Sequence, residues 1–427
     1  MINKKSIKKV NMSRYKEFTI PLYDSYCFSN INGTIKNLFN IESNKSLPED
    51  VINENSKNTD KVIFFLVDAF GWCFYEKYKE YSKFLKEIEL NGVVSKITSQ
   101  FPSTTTAHVT TALSDESVYE HGLFEWFYYD KQADDIVTAF LFNKARDVEI
   151  GSLEKCNINI KEFLPEKSIF KTLKENGITS KIFQPSYINN SIYSKTMGRF
   201  SEIVGYEKYD DLFKSLAKNI NKNTNKEYIY VYLPEIDSVG HEKGCESKEF
   251  KEQVIKFLNA LDIFYSEIKD TEKITILISA DHGQIETDLN DKQYINEIIP
   301  TISSYLVKNS RGMDLPSGYC RDLFLNVKEE LIGECCNIIK KYFNDKVEVI
   351  PYDDLFKYGF FKKGSHRLKE RCGNLLILPK YKNNIWWYEK GIFEIFTKGV
   401  HGGASKEEME IPFLYYKCNN TGEFGND

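Results

Sequence analysis

Short runs of apolar, β-branched residues recur along the chain, separated by longer stretches with helical spacing. The clearest runs are VIFFLV at 62–67, YIYVYL at 228–233 and ITILI at 274–278. Each is one strand long and apolar almost throughout, the pattern of strands buried on both faces of a parallel sheet. Between the last two, Phe250, Val254, Phe257, Leu258, Leu261, Phe264, Tyr265 and Ile268 repeat at helical intervals. The same reading predicts strands over 92–97 and 178–183. It predicts helices over 106–113, 169–176 (closed by Gly177) and 209–220. Strands alternating with helices in this way define an α/β protein with a mostly parallel central sheet.

Two regions depart from that rhythm. Residues 1–55 are rich in Lys, Asn and Ser, with one apolar patch at 23–28 and a helical piece at 35–39, and read as an N-terminal arm laid on the main domain. A polar connection follows, over 43–61. Residues 301–370 give a strand at 323–327, a helix at 332–343 and a strand at 347–350, a compact α+β subdomain inserted into the main fold. The core is then expected over 56–300 and 371–427, with the chain re-entering it through 374–378 and the Trp386–Trp387 region.

Composition narrows the function more than the fold. The 427 residues are 41% hydrophobic and 28% charged, ordinary for a globular protein. A net charge of −5 without a concentrated basic block argues against coating nucleic acid but leaves room for a small phosphorylated ligand. The 14% aromatic share fits well-filled cores and an aromatic-lined pocket. Nine scattered cysteines, with no CxxC pair, suit free thiols in a reducing compartment. The basic N-terminus has no apolar h-region after it, and no apolar stretch approaches the ~18–20 residues of a membrane span. A cytoplasmic setting is the expectation; oligomeric state is not legible.

The chemistry sits where the apolar runs stop. The run at 274–278 gives way to Ser279, Ala280, Asp281, His282 and Gly283. Asp and His at the carboxyl end of a buried strand lie where open α/β sheets place ligands, and they are the oxygen and nitrogen donors that zinc accepts. The pair also reads as a helix cap beside a solvated turn residue. Asp68 closes the first run in the same way, with the same alternative of an N-cap. After the run at 228–233 come Asp237 and His241, four apart on a segment broken by Pro234 and Gly240, and therefore expected on a shared loop. Independent caps do not explain three acids at three strand ends, two of them with a His nearby; one shared site does. Thr104, Thr105 and Thr106 follow Pro102 at a predicted helix start, where unpaired N–H groups and the helix dipole favour phosphoryl oxygens. His401 lies among Gly399, Gly402 and Gly403, which permit close approach of backbone and ligand.

In order, VDAFG, FPSTTTAH, DSVGHEKG, SADHG and GVHGGAS resemble the alkaline phosphatase superfamily, and most closely its type I phosphodiesterase / nucleotide pyrophosphatase branch. The resemblance covers about 60–290 and 395–415. It implies an alkaline-phosphatase-like three-layer sandwich and two divalent ions, usually zinc, with manganese also suited to a mixed Asp/His donor set. By motif position, Asp237, His241 and His401 would hold one ion. Asp68, Asp281, His282 and the nucleophile Thr105 would hold the other. The implied reaction is hydrolysis of a phosphodiester or pyrophosphate bond through a phospho-threonine, on a small substrate that includes nucleotides as a class. A phosphomonoesterase or phosphomutase-like phosphotransferase shares these ligands, and a non-catalytic binding protein can keep the scaffold. His108 stands where many relatives carry an Asn that holds a phosphoryl oxygen; it either donates to that oxygen or packs inside the helix. Arg321, in a Gly-x-x-Arg-Asp pattern, either reaches a substrate phosphate or carboxylate or forms a structural ion pair.

Overall fold

The computed structural model describes residues 1–52, 59–147, 149–222 and 225–418, so the expected connection over 43–61 lies partly outside the described residues. A single central sheet contains seven strands: β1 Lys61–Val67, β2 Val93–Thr98, β3 Thr179–Pro185, β4 Glu202–Tyr206, β5 Glu227–Leu233, β6 Ile274–Ser279 and β7 Glu410–Lys417. Their spatial order is β2-β7-β6-β1-β5-β3-β4. β7 runs antiparallel to both of its neighbours, and every other pairing in the sheet is parallel. The protein is thus a mixed α/β fold on a mostly parallel sheet, as the alternating pattern requires.

The three apolar runs that stand out in the sequence become the adjacent strands β6, β1 and β5. β1 and β6 are buried along their whole length, which is why their central runs are apolar apart from Thr275, whose buried hydroxyl pairs with that of Thr59. Register sets their ends level: Val67 pairs with Leu233, and Leu66 with Ser279. The residues that follow, Asp68, Pro234 and Ala280, therefore emerge together at one edge of the sheet. The N-terminal residues cover the outer side of β2, with Ile2 bridged to Val94 and Cys27 to Thr98, which shields an otherwise open edge.

A separate three-stranded sheet holds Leu323–Leu325, Leu375–Pro379 and Val347–Pro351, in that spatial order, beside the helix Ile332–Phe343. The stretch at 374–378, where the chain is expected to re-enter the core, falls in this small sheet. Leu375–Pro379 is the middle strand of the small sheet, because the other two strands do not touch and both pair with it. Its side chains alternate: Leu375 and Ile377 join a second apolar cluster that includes Leu323, Ile339, Val349 and Trp386, while Leu376 and Leu378 pack into the main core. Among the described residues no helix is long and apolar enough to cross a membrane.

Candidate active site

Asp68 is the first residue beyond β1, and its carboxylate is buried. The next residue, Ala69, takes φ 60°, in the left-handed region that costs a side chain energy, and its N–H donates to Asp281 Oδ1 at 3.1 Å. The strained turn therefore binds the ends of β1 and β6 together. Asp281 Oδ1 also accepts from the His282 N–H at 2.9 Å, while Asp281 Oδ2 is buried without a hydrogen-bond partner. Gly283 is required next, since a Cβ there would lie 2.0 Å from the Glu407 carbonyl oxygen.

Asp237 and His241 are on a helix, Glu235–Lys243, and not on the expected loop. Pro234 is its N-cap and Gly240 is tolerated within it, so the four-residue spacing puts both side chains on one helical face. Asp237 Oδ2 stands 3.1 Å from His241 Nε2, and Asp237 Oδ1 stands 3.8 Å from His401 Nε2.

The helix Thr105–Ser114 settles which threonine faces the site. Thr104 is the N-cap: its hydroxyl accepts from the Ala107 N–H at 3.3 Å and donates to the Phe124 carbonyl at 2.6 Å. Thr105 begins the helix with its Oγ1 3.1 Å from His282 Nε2 and 3.5 Å from Asp68 Oδ1. Ser103 clamps the glycine-rich segment, with its hydroxyl donating to the Gly403 carbonyl at 2.7 Å and accepting from the Gly402 N–H at 3.2 Å.

The donor atoms form two groups that share His282. In one, Asp68, Asp281 and His282 bring ligand atoms within 4.8 Å of one another; in the other, Asp237, His282 and His401 do. His241 joins the second group through Asp237. All three imidazoles are oriented alike: each Nδ1 meets a backbone carbonyl, His241 that of Gly399 at 2.7 Å, His282 that of Gly283 at 3.0 Å and His401 that of Ser103 at 3.0 Å. A carbonyl accepts, so Nδ1 carries the proton and Nε2 presents its lone pair to the acids, which is how metal-binding histidines are oriented. With the unpartnered Asp281 Oδ2, this donor set fits divalent cations.

Electrostatics points the same way. Burial, and then the charges of Asp281 and Asp237, push the Asp68 carboxyl well above its ordinary range. Burial pushes Asp281 up to about 7, with Asp237 adding to the rise. Burial drives His282 and His401 well down, so both stay neutral. Burial also opposes the charges of Asp237 and His241, but their mutual attraction outweighs it, lowering the acid and raising the base.

Two expected substrate contacts do not face the site. The fully buried His108 accepts the Gln100 N–H at Nε2 (2.8 Å) and meets the Thr104 carbonyl at Nδ1 (2.7 Å), so it joins two backbone segments. Arg321 is fully buried as well. Its Nε and Nη2 donate to Glu408 at 2.9 and 2.8 Å, and its Nη1 donates to the carbonyls of Lys380 and Asn383. Both corrections have one cause: every polar atom of these side chains is taken up by the chain. The sequence reading missed Tyr232, whose hydroxyl donates to Asp68 Oδ2 at 2.6 Å, and Gln284, which donates to Asp237 Oδ1 at 2.9 Å. The available signals were Tyr232 next to the strand end and Gln284 directly after the Asp-His-Gly triplet.

Residues 62–404 match the family model for type I phosphodiesterase / nucleotide pyrophosphatase, and the chain belongs to that family of phosphoester-hydrolysing enzymes. Ectonucleotide pyrophosphatase/phosphodiesterase family member 3 from Mus musculus is 20% identical over 283 residues, 64% of this chain and 30% of the relative. Its counterpart from Rattus norvegicus is 21% identical over 285 residues, with the same coverage. This chain thus spans about 30% of the length of those relatives. Among solved structures, an inactive murine ectonucleotide pyrophosphatase / phosphodiesterase 5 in complex with AMP superposes with a TM-score of 0.62 at 16% identity, covering 84% of this chain and 88% of that one. Phosphonoacetate hydrolase from Sinorhizobium meliloti, in complex with phosphonoacetate, gives 0.60 at 13% identity, covering 85% and 92%. At these identities the likeness establishes the alkaline-phosphatase-like fold.

Proposed function

We propose that this chain hydrolyses phosphodiester or pyrophosphate bonds by displacement from Thr105, at a site taking two divalent cations, zinc or manganese. The observation that carries the reading is the meeting of three buried carboxylates, three Nε2-presenting imidazoles and one hydroxyl at a single sheet edge. Asp68, Asp281, His282 and Thr105 would hold one cation and Asp237, His241 and His401 the other, and the pair would supply positive charge that neutralises phosphoryl oxygens and acidifies the threonine hydroxyl.

The chain's own groups do the rest. Thr105 Oγ1 attacks phosphorus, the bond to the leaving oxygen breaks, and the phosphoryl group passes to threonine before water releases it. The Thr105 hydroxyl stands between His282 and Asp68, the latter steadied by Tyr232, where all three would share one cation that fixes its position. The first N–H groups of the Thr105–Ser114 helix lie beside that hydroxyl and accommodate a phosphoryl oxygen.

The test is chelation followed by reloading with zinc or manganese, with a bis-aryl and a mono-aryl phosphate as substrates. Diester turnover is expected to vanish on stripping, return on reloading and exceed monoester turnover. Turnover that survives exhaustive stripping, or a preference for the monoester, defeats the proposal.

A further inference from the structure

The site opens into a cavity of about 550 Å³, large enough for the organic part of a substrate as well as its phosphoryl group. At the inner end are Asp68, Thr105, Asp237, His241 and His401. Beyond them the walls are aromatic and aliphatic, with Phe140, Tyr193 and Tyr319 inside. Trp126, Tyr187 and Phe396 stand at the mouth, 38%, 78% and 62% exposed. Large aromatic surface left in water beside a site marks a place where a ligand is covered.

The charge of the walls is the informative part. Among the described residues that line the cavity there is no lysine and no arginine. The charged side chains outside the catalytic cluster are both acids, Glu125 and Glu394. Glu125 lies fully buried against the carboxyl of Asp322, and the two flank Gly402, where a Cβ would come 3.1 Å from Glu125 Oε1 and 3.0 Å from Asp322 Oδ1. An anionic group placed beyond the reacting phosphoryl would therefore meet Glu394, the paired acid groups of Glu125 and Asp322, and ring faces, with no positive side chain to receive it.

Resting on the hydrolase reading above, we propose that the substrate is a phosphodiester whose only negative charge is on the reacting phosphoryl group and whose remaining body is apolar or aromatic. Polyphosphates and carboxylate-bearing phosphonates are discriminated against by the same walls. This departs from a simple transfer of the ligand named for the phosphonoacetate hydrolase.

Two measurements decide it. With metal-reloaded enzyme, kcat/KM for bis-para-nitrophenyl phosphate is expected to exceed that for ATP and for phosphonoacetate by about 100-fold or more. With the metal-reloaded Thr105→Ala variant, which binds without turnover, tryptophan fluorescence, to which Trp126 contributes, is expected to report saturable binding of the diester and none of ATP at equal concentration. The variant Glu394→Lys supplies the missing cation and is expected to raise the ATP-to-diester ratio of kcat/KM about 10-fold. Comparable turnover of ATP and diester, or an unchanged ratio in a folded Glu394→Lys, overturns the inference and leaves the hydrolase reading intact. If neither compound is turned over after reloading, the hydrolase reading falls, and the binding measurement still decides whether the cavity prefers the apolar monoanion.

Discussion

Two clusters of buried charge lie close together along the 399–408 segment, and they are built on opposite principles. Around Arg321 and Glu408 every charge is answered: two guanidinium N–H groups meet the carboxylate, the third nitrogen meets two backbone carbonyls, and the Gly403 and Ser405 N–H groups donate to the same carboxylate at 3.0 and 3.2 Å. Around His401 the acids of three strand ends converge instead, with no lysine or arginine among their described partners and one carboxylate oxygen unpartnered. A buried charge cluster that closes on itself holds structure; one that stays unbalanced fits added cations. In sequence the two look alike, an acid or a base beside glycines, and only the accounting of partners separates them.

The largest effect expected from this contrast is on turnover. Thr105→Ala removes the threonine hydroxyl of the unbalanced cluster and touches nothing in the balanced one. Its kcat/KM for a diester should fall about 10⁴-fold or more, roughly 5 kcal/mol of transition-state stabilisation, with thermal stability held near that of the parent. Turnover within about tenfold of the parent would remove Thr105 from the chemistry.

Stability should then split by sign. Glu408→Gln leaves a buried guanidinium without its counter-charge and is expected to cost about 3–5 kcal/mol in a denaturant titration. Asp68→Asn, measured in chelator at neutral pH, is expected to gain about 1 kcal/mol, because burial and two neighbouring acids already hold that carboxyl above its ordinary range. A loss of similar size in both variants would show that the two clusters are not different in kind.

Much of this was legible beforehand because it rests on local pattern. The runs within β1, β5 and β6 are almost wholly apolar, and Asp68, Asp237 and Asp281 follow soon after them, so both the strands and the acids beyond them stand out. β7 escaped notice because Pro412 interrupts it, and proline usually argues against a strand lying between two neighbours. The Asp237–His241 helix escaped for a related reason, since Pro234 and Gly240 read as breakers although proline is well placed at a helix start. Arg321 and His108 could not be assigned from sequence at all. Their roles depend on Glu408, eighty-seven positions from Arg321, and on carbonyls and N–H groups that only the folded backbone delivers.

The smallest effect concerns a histidine that belongs wholly to the balanced kind of environment. His121 Nδ1 accepts the Leu123 N–H at 3.0 Å, and Nε2 meets the Ala107 carbonyl at 3.2 Å, so the buried ring is neutral and fully partnered. Burial pushes its pKa down to about 3 from an ordinary 6.5. The folded state therefore resists protonation while the unfolded chain accepts a proton below pH ~6.5. Stability from this group is complete above that value and is lost as pH falls toward about 3, at about 1.4 kcal/mol for each pH unit within the window. His121→Gln lacks the titrating ring, so its stability should fall less steeply between pH 6 and 4 by about that amount per unit, whatever its absolute stability. Parallel acid slopes for parent and variant would show that the ring already carries a proton in the native protein.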